Sequence, residues 1–272
     1  MFEWLDPEFM RLALVAVLLM APLFAVLGTL VVNNSMAYFS DTVGHSALTG
    51  IALGVGLGLD SPFWAMILFS GLLSLIWAVL RKYSRNSSDT SIGLIMAFSV
   101  AFGVVLLSRG GNFSKYSHFL VGNILTVETK DLWLVGVLDL AVFAIWPFLS
   151  KRLYLISIHR SLAASRKISI FFWESLFAFV LAIVVTVSIQ WVGLLVVNSL
   201  LVMPAAASRN LAKGLKSYLL LSVGISWMSA LGGLLMSWYL NTAAGASIVL
   251  FLLLFFVLSV GISHFKSRRV VE

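Results

Sequence analysis

Asp41 and His45, four residues apart in YFSDTVGHSALTG (38–50), are the pair in this sequence best placed to do chemistry. On a helix that spacing stacks both side chains on one face, about 6 Å apart. A carboxylate and an imidazole so placed can share one divalent ion, both being ligands for Zn²⁺ and acceptable for Mn²⁺ or Fe²⁺. Two ligands leave a tetrahedral structural site unfinished, which suits an ion that must enter and leave. The same spacing also fits an intrahelical ion pair or a proton relay, and the pair by itself does not choose between them.

Two other ionisable side chains fall within apolar segments, Asp139 and Glu174. A charge in mid-membrane costs about 2.5–3.5 kcal/mol, so each needs a partner, a cavity or a role. Glu174 lies near the start of its segment and is expected to snorkel to the interface. Asp139 lies deeper and is expected to pair with a polar neighbour. Beside Asp41 and His45, the small residues Ser46, Gly50, Gly54 and Gly58 recur every four positions, a ladder that lets another helix approach closely. A second polar cluster, Asn198, Ser199 and Met203, precedes Pro204, where a helix loses one donor and kinks. His118, His159 and His264 lie in loops or at a helix end. The chain has no cysteine, which excludes disulfides, Fe–S clusters and thiolate catalysis. It also lacks a GxxxxGK[ST] phosphate loop, an HExxH helix and a GxSxG elbow.

The elements that carry these residues must live in lipid. Of 272 residues 61% are hydrophobic and only 11% charged, against about 25% charged in soluble domains, and the mean hydropathy is +1.04. That balance rules out a soluble enzyme. Apolar segments predict about nine spans, at 11–33, 40–58, 63–80, 91–108, 132–149, 170–190, 191–208, 217–239 and 247–264. Only helices or closed barrels satisfy the backbone in lipid, and these runs are too long for barrel strands, so the fold is all-α, a polytopic transmembrane bundle. Lys and Arg sort by side: 81–85, 151–167, 209–216 and 266–269 hold 14 of the 18 basic residues. By the positive-inside rule the N-terminus lies outside and the C-terminus in the cytoplasm. The net charge of +7 therefore reflects membrane sidedness rather than nucleic-acid binding.

Two loops depart from simple turns. Residues 109–131 contain a short apolar run, 119–127, broken by Gly122 and Asn123, which predicts an external re-entrant element. Residues 151–167 predict a short amphipathic cytoplasmic helix with Leu155, Ile158 and Leu162 on one face, lying on the membrane or docking a soluble partner. No repeat or low-complexity linker divides the chain, so 1–272 reads as one domain. Residues 1–8 are acidic where a secretory leader is basic, so no cleaved leader is expected.

In MAYFSDTVGHSALTGIALG (36–54), VGLLVVNSLLVMPAAASR (192–209) and AGASIVLF (244–251), in that order and spacing, the chain resembles the membrane permeases of ATP-binding-cassette importers for zinc, manganese or iron(II). The resemblance runs nearly end to end. It implies a non-catalytic transport subunit in the bacterial cytoplasmic membrane, working as a homodimer. Cytoplasmic ATPase subunits would dock at about 158–167, the family's coupling helix, and an external metal-binding protein would deliver the ion. Asp41 and His45 match the positions that hold metal in transit, and the only bound metal is the transported one. Asn33, Asn34, Ser35, Phe98, Asn123, Ser161 and Lys167 depart from the usual pattern, so no ligand is carried over beyond Asp41 and His45. Two rival readings are a proton-coupled secondary transporter with Asp41, His45 and Asp139 as a relay, and a permease for a bulky metal chelate.

Overall fold

The structure is a computed structural model that describes residues 3–59, 61–83, 88–110 and 124–271. Among the described residues ten α-helices follow one another: α1 (Glu8–Asn33), α2 (Ala37–Gly56), α3 (Phe63–Tyr83), α4 (Ser88–Gly110), α5 (Thr129–Ile158), α6 (Arg160–Ser165), α7 (Ile170–Val192), α8 (Leu194–Leu211), α9 (Leu215–Leu240) and α10 (Ala244–Val271). No strand occurs among the described residues. All but α6 coincide with the nine apolar segments of the sequence. Seven of the nine are long and apolar enough to cross a membrane. Of the other two, α2 is long enough but is diluted by Ser40, Asp41, Thr42, His45, Ser46 and Thr49, and the apolar part of α4 is shorter, Thr90–Leu106.

Local chemistry sets the breaks. Gly193, at φ +86°, separates α7 from α8 in a conformation that a side chain would strain. A Cβ on Gly58, the last rung of the small-residue ladder, would meet no described atom within 4 Å. This glycine lies beyond the end of α2 at φ +71°, where it turns the chain. α5 does not stop at the hydropathy edge near residue 149 but continues to Ile158, burying Leu153, Tyr154 and Ile156 on the way. The independent helix in the 151–167 stretch is therefore only Arg160–Ser165. Of the expected re-entrant element, 119–123 lies outside the described residues, and Ile124–Thr126 forms one 3₁₀ turn.

The chain folds as two compact units, each assembled from discontinuous segments. One comprises α1, the first half of α5, α8, α9 and α10. Its helices are stitched by hydroxyl and indole donors to main-chain carbonyls: Ser222 to Ala25 (3.1 Å), Ser226 to Ala21 (3.0 Å) and Trp227 Nε1 to Leu18 (3.1 Å). Such bonds suit helices that have no hydrophobic driving force between them in lipid. α8 and α1 meet so closely that a Cβ on Gly28 would overlap the Leu201 carbonyl. In α10, the backbone at Ile248, within the 244–251 motif, meets Gly233 of α9 in the same way. The other unit comprises α2, α3, α4, the second half of α5, α6 and α7, and it carries both Asp41 and His45.

Candidate metal site on α2 and the mounting of α6

Two of the three faces of α2 are closed. Gly50 and Gly54 press onto α3 and the turn before it, where a Cβ would strike the Met66 backbone and Pro62. Thr49 donates its hydroxyl to the Ser99 carbonyl of α4, beside Gly103. Ser40, Thr42 and Ser46 are buried and return their hydroxyls to α2's own carbonyls. What remains is a stripe, Tyr38, Asp41, His45 and Leu48, that is partly or fully open along an otherwise buried helix segment.

On that stripe Asp41 Oδ1 and His45 Nε2 lie 3.8 Å apart, with side chains 40% and 30% exposed. The distance is too long for a hydrogen bond. Two metal–ligand bonds of about 2.1 Å at a tetrahedral angle would set the donors about 3.4 Å apart. A small side-chain rotation closes that gap. The pair is thus neither sealed in a dry contact nor locked to itself. No third His, Asp or Glu joins it among the described residues, so a bound ion would keep open positions for water or another ligand.

Asp139 and Glu174 behave differently from each other. Asp139, on α5, is buried, and its Oδ1 has no hydrogen-bond partner among the described residues, so the expected polar neighbour is not seen on that atom. Glu174 does not snorkel. It is buried on α7, where Oε1 accepts a 2.7 Å bond from Arg160 Nη2 of α6 and Oε2 pairs with Arg81 Nη1 of α3 at 3.4 Å. The Arg81 guanidinium also lies over the Trp77 ring, 5.1 Å from its centroid, and Trp77 packs at a tilt against Phe39 of α2, centroids 4.6 Å apart. A continuous run of contacts therefore links α2, two residues from Asp41, through Trp77, Arg81 and Glu174 to α6.

The apolar side of α6 is seated by Ile156, Ala163 and Ile168, packed with Leu155, Ile170 and Trp173. Of the three residues expected on one face, Leu155 joins this cluster, whereas Ile158 and Leu162 point away, 69% and 42% exposed. Sequence reasoning missed Arg81 and Arg160 as partners of Glu174. The available signal was an acid at the edge of an apolar segment with basic residues near other segment ends.

Apolar helices of membrane-spanning length, with buried polar side chains returned to backbone carbonyls, make this an integral membrane protein. The ABC 3 transport family matches residues 6–263, and the chain belongs to that family. It is 32% identical over 257 residues to "Manganese import system permease protein ScaB" of Streptococcus gordonii, covering 93% of this chain and 91% of that protein. It is 31% identical over 271 residues to "High-affinity zinc uptake system membrane protein ZnuB" of Haemophilus influenzae, covering 99% and 100%. Among solved structures it is similar to "PsaBC from Streptococcus pneumoniae in complex with Fab", with TM-score 0.80, 29% identity and coverage of 93% and 91%.

Proposed function

We propose that this chain is the membrane-spanning permease subunit of an ATP-driven importer for a divalent transition-metal ion, Zn²⁺, Mn²⁺ or Fe²⁺, and that Asp41 and His45 hold the ion in transit. The observation that carries the reading is the Asp41–His45 pair, 3.8 Å apart on the one open stripe of a tightly packed helix. A carboxylate and an imidazole facing lipid would be costly, so that stripe calls for a water-filled route or a second copy of the chain. This supports a homodimer with the ion passing along α2. Family membership and relatives named for manganese and zinc support the substrate class.

The remaining roles follow from the same reading. The chain acts as a single permease domain, 1–272, with nine spans, the N-terminus outside and the C-terminus in the cytoplasm of a bacterial cell. The sorting of basic residues supports that orientation. An inside-negative potential favours entry of a dication by about 4.6 kcal/mol per 100 mV. ATP then serves to alternate access and to free the ion from its external binding protein. Hydrolysis belongs to cytoplasmic subunits that dock at about 158–167, where the exposed Ile158 and Leu162 give them apolar contacts. The contact run from Phe39 to Arg160 supports transmission between α6 and α2.

The test is uptake by the complex reconstituted with its ATPase and binding protein. Asp41→Ala and His45→Ala should each lower Zn²⁺ or Mn²⁺ uptake by more than the roughly 10–100-fold that loss of an outer-shell partner costs at metal sites. Wild-type uptake in both variants would refute the assignment. ATP-independent uptake driven by a pH gradient would instead establish the secondary-transporter reading.

A further inference from the structure

On the same unit as α2, but away from the Asp41–His45 stripe, a cavity of about 430 Å³ opens where α3, α6 and α7 meet. Three cations line it, Arg81, Lys82 and Arg160, against the single carboxylate of Glu174. Glu174 is already shared by two of them. The lining therefore carries a net charge of +2, and the buried Arg81 Nη1 has only the long 3.4 Å ion pair to Glu174 Oε2, with no hydrogen bond among the described residues. Among the described residues no carboxylate pairs with the Lys82 ammonium, which lies over the Tyr83 and Phe171 rings, at 5.1 and 4.9 Å. An unbalanced, partly desolvated basic pocket of this kind attracts a compact anion such as a phosphate group.

A second hollow, about 380 Å³, adjoins the first, with Ser175 in the lining of both. Its other walls are Leu75, Phe172, Leu176 and Phe179, and it is almost wholly apolar. Leu75 precedes Arg81 by six residues on α3, and Phe179 follows Glu174 by five on α7. Both residues thus lie further along the apolar lengths of their helices than the charged cluster. A basic chamber at the ends of two helices, with an apolar hollow beside it further along the same two helices, has the polarity sequence of a phospholipid: phosphate first, acyl chain next.

We propose that this compound cavity is a binding site for one acidic phospholipid, its phosphate held by Arg81, Lys82 and Arg160 and an acyl chain lying against Leu75, Leu176 and Phe179. Because Arg160 belongs to α6, the lipid contacts the same short helix that Glu174 ties to α3 and α7. Lipid occupancy therefore bears on how firmly α6 is held. The site is independent of metal binding, and its test requires no transport.

The experiment uses the full chain purified in mild detergent, stripped of lipid and titrated with phosphatidylglycerol, phosphatidylcholine or glycerol phosphate, with bound molecules counted by native mass spectrometry. Phosphatidylglycerol should bind at one tight site per chain, well ahead of phosphatidylcholine. Lys82→Gln with Arg160→Gln should weaken it about thirtyfold, about fivefold for each basic contact near an acidic headgroup. Ser175→Trp, which crowds both hollows from their shared lining residue and leaves every charge in place, should also abolish the tight site. Lys82 is exposed, so Lys82→Gln alone tests the headgroup without threatening the fold and should cost about fivefold. Equal binding of phosphatidylcholine, equal binding of glycerol phosphate without an acyl chain, or unchanged affinity in Lys82→Gln and Ser175→Trp would each overturn the proposal.

Discussion

Replacing Glu174 by glutamine keeps its shape and removes its charge, leaving Arg81 and Arg160 facing a neutral amide. The two arms differ in worth. The Glu174 side chain is 9% exposed and Arg81 19%, so that arm is close to a buried pair, whereas Arg160 is 57% exposed. Removing one partner of a buried pair costs about 3–5 kcal/mol, because the other charge is stranded, and an exposed pair contributes about 0–1 kcal/mol. With Arg81 partly wetted and stacked on Trp77, a loss of about 3 kcal/mol is expected. At about 2–4 °C per kcal/mol for a chain somewhat smaller than this one, the unfolding temperature should fall by about 6–12 °C. The assay is thermal unfolding of the purified chain in detergent, followed by intrinsic tryptophan fluorescence. Combining Glu174→Gln with Arg81→Gln should recover about half of the loss, because the stranded buried cation is gone. An unchanged unfolding temperature in Glu174→Gln, or losses that simply add in the double variant, would show that Glu174 does not clasp α3 to α6.

Four further outcomes are expected. Gly50→Ala should destabilise the chain by about 1–3 kcal/mol, because the new Cβ meets the Met66 Cα. Gly93→Ala, with nothing within 4 Å of its Cβ, should leave thermal unfolding unchanged or slightly raised. Ile158→Ser with Leu162→Ser should release the ATPase subunit in co-purification while the isolated chain unfolds at its normal temperature, since both side chains are exposed. Asp139→Asn should leave Asp41- and His45-dependent metal uptake intact, and a loss matching that of His45→Ala would bring Asp139 into the transport route.

Much of this fold is legible in the sequence because lipid enforces a simple rule. Each backbone must satisfy itself, so apolar length reports helix position, and all nine segments emerge as helices. Helix ends are less legible where the segment leaves lipid. α5 runs past Lys151 and Arg152 to Ile158 because the hydrogen-bond ladder persists beyond these charges while Leu153 and Ile156 remain buried. Spacing also misleads at Gly58, which keeps the four-residue period although α2 has already ended. The Asp41–His45 pair could be read because its geometry is local, one turn of one helix. The environment of Glu174 could not, since its partners lie 93 residues upstream and 14 residues upstream on other helices. An acid near a span edge fits interfacial water as well as distant arginines, and only tertiary packing distinguishes the two.

The most direct measurement of metal holding at Asp41 and His45 is electron spin-echo spectroscopy of the complex loaded with Mn²⁺, prepared with ¹⁵N-histidine. The expected spectrum carries a directly coordinated imidazole nitrogen that disappears in His45→Ala and persists in His118→Ala, His159→Ala and His264→Ala. A nitrogen coupling that survives in His45→Ala, or bound Mn²⁺ with no histidine nitrogen at all, would contradict transit of the ion through this pair.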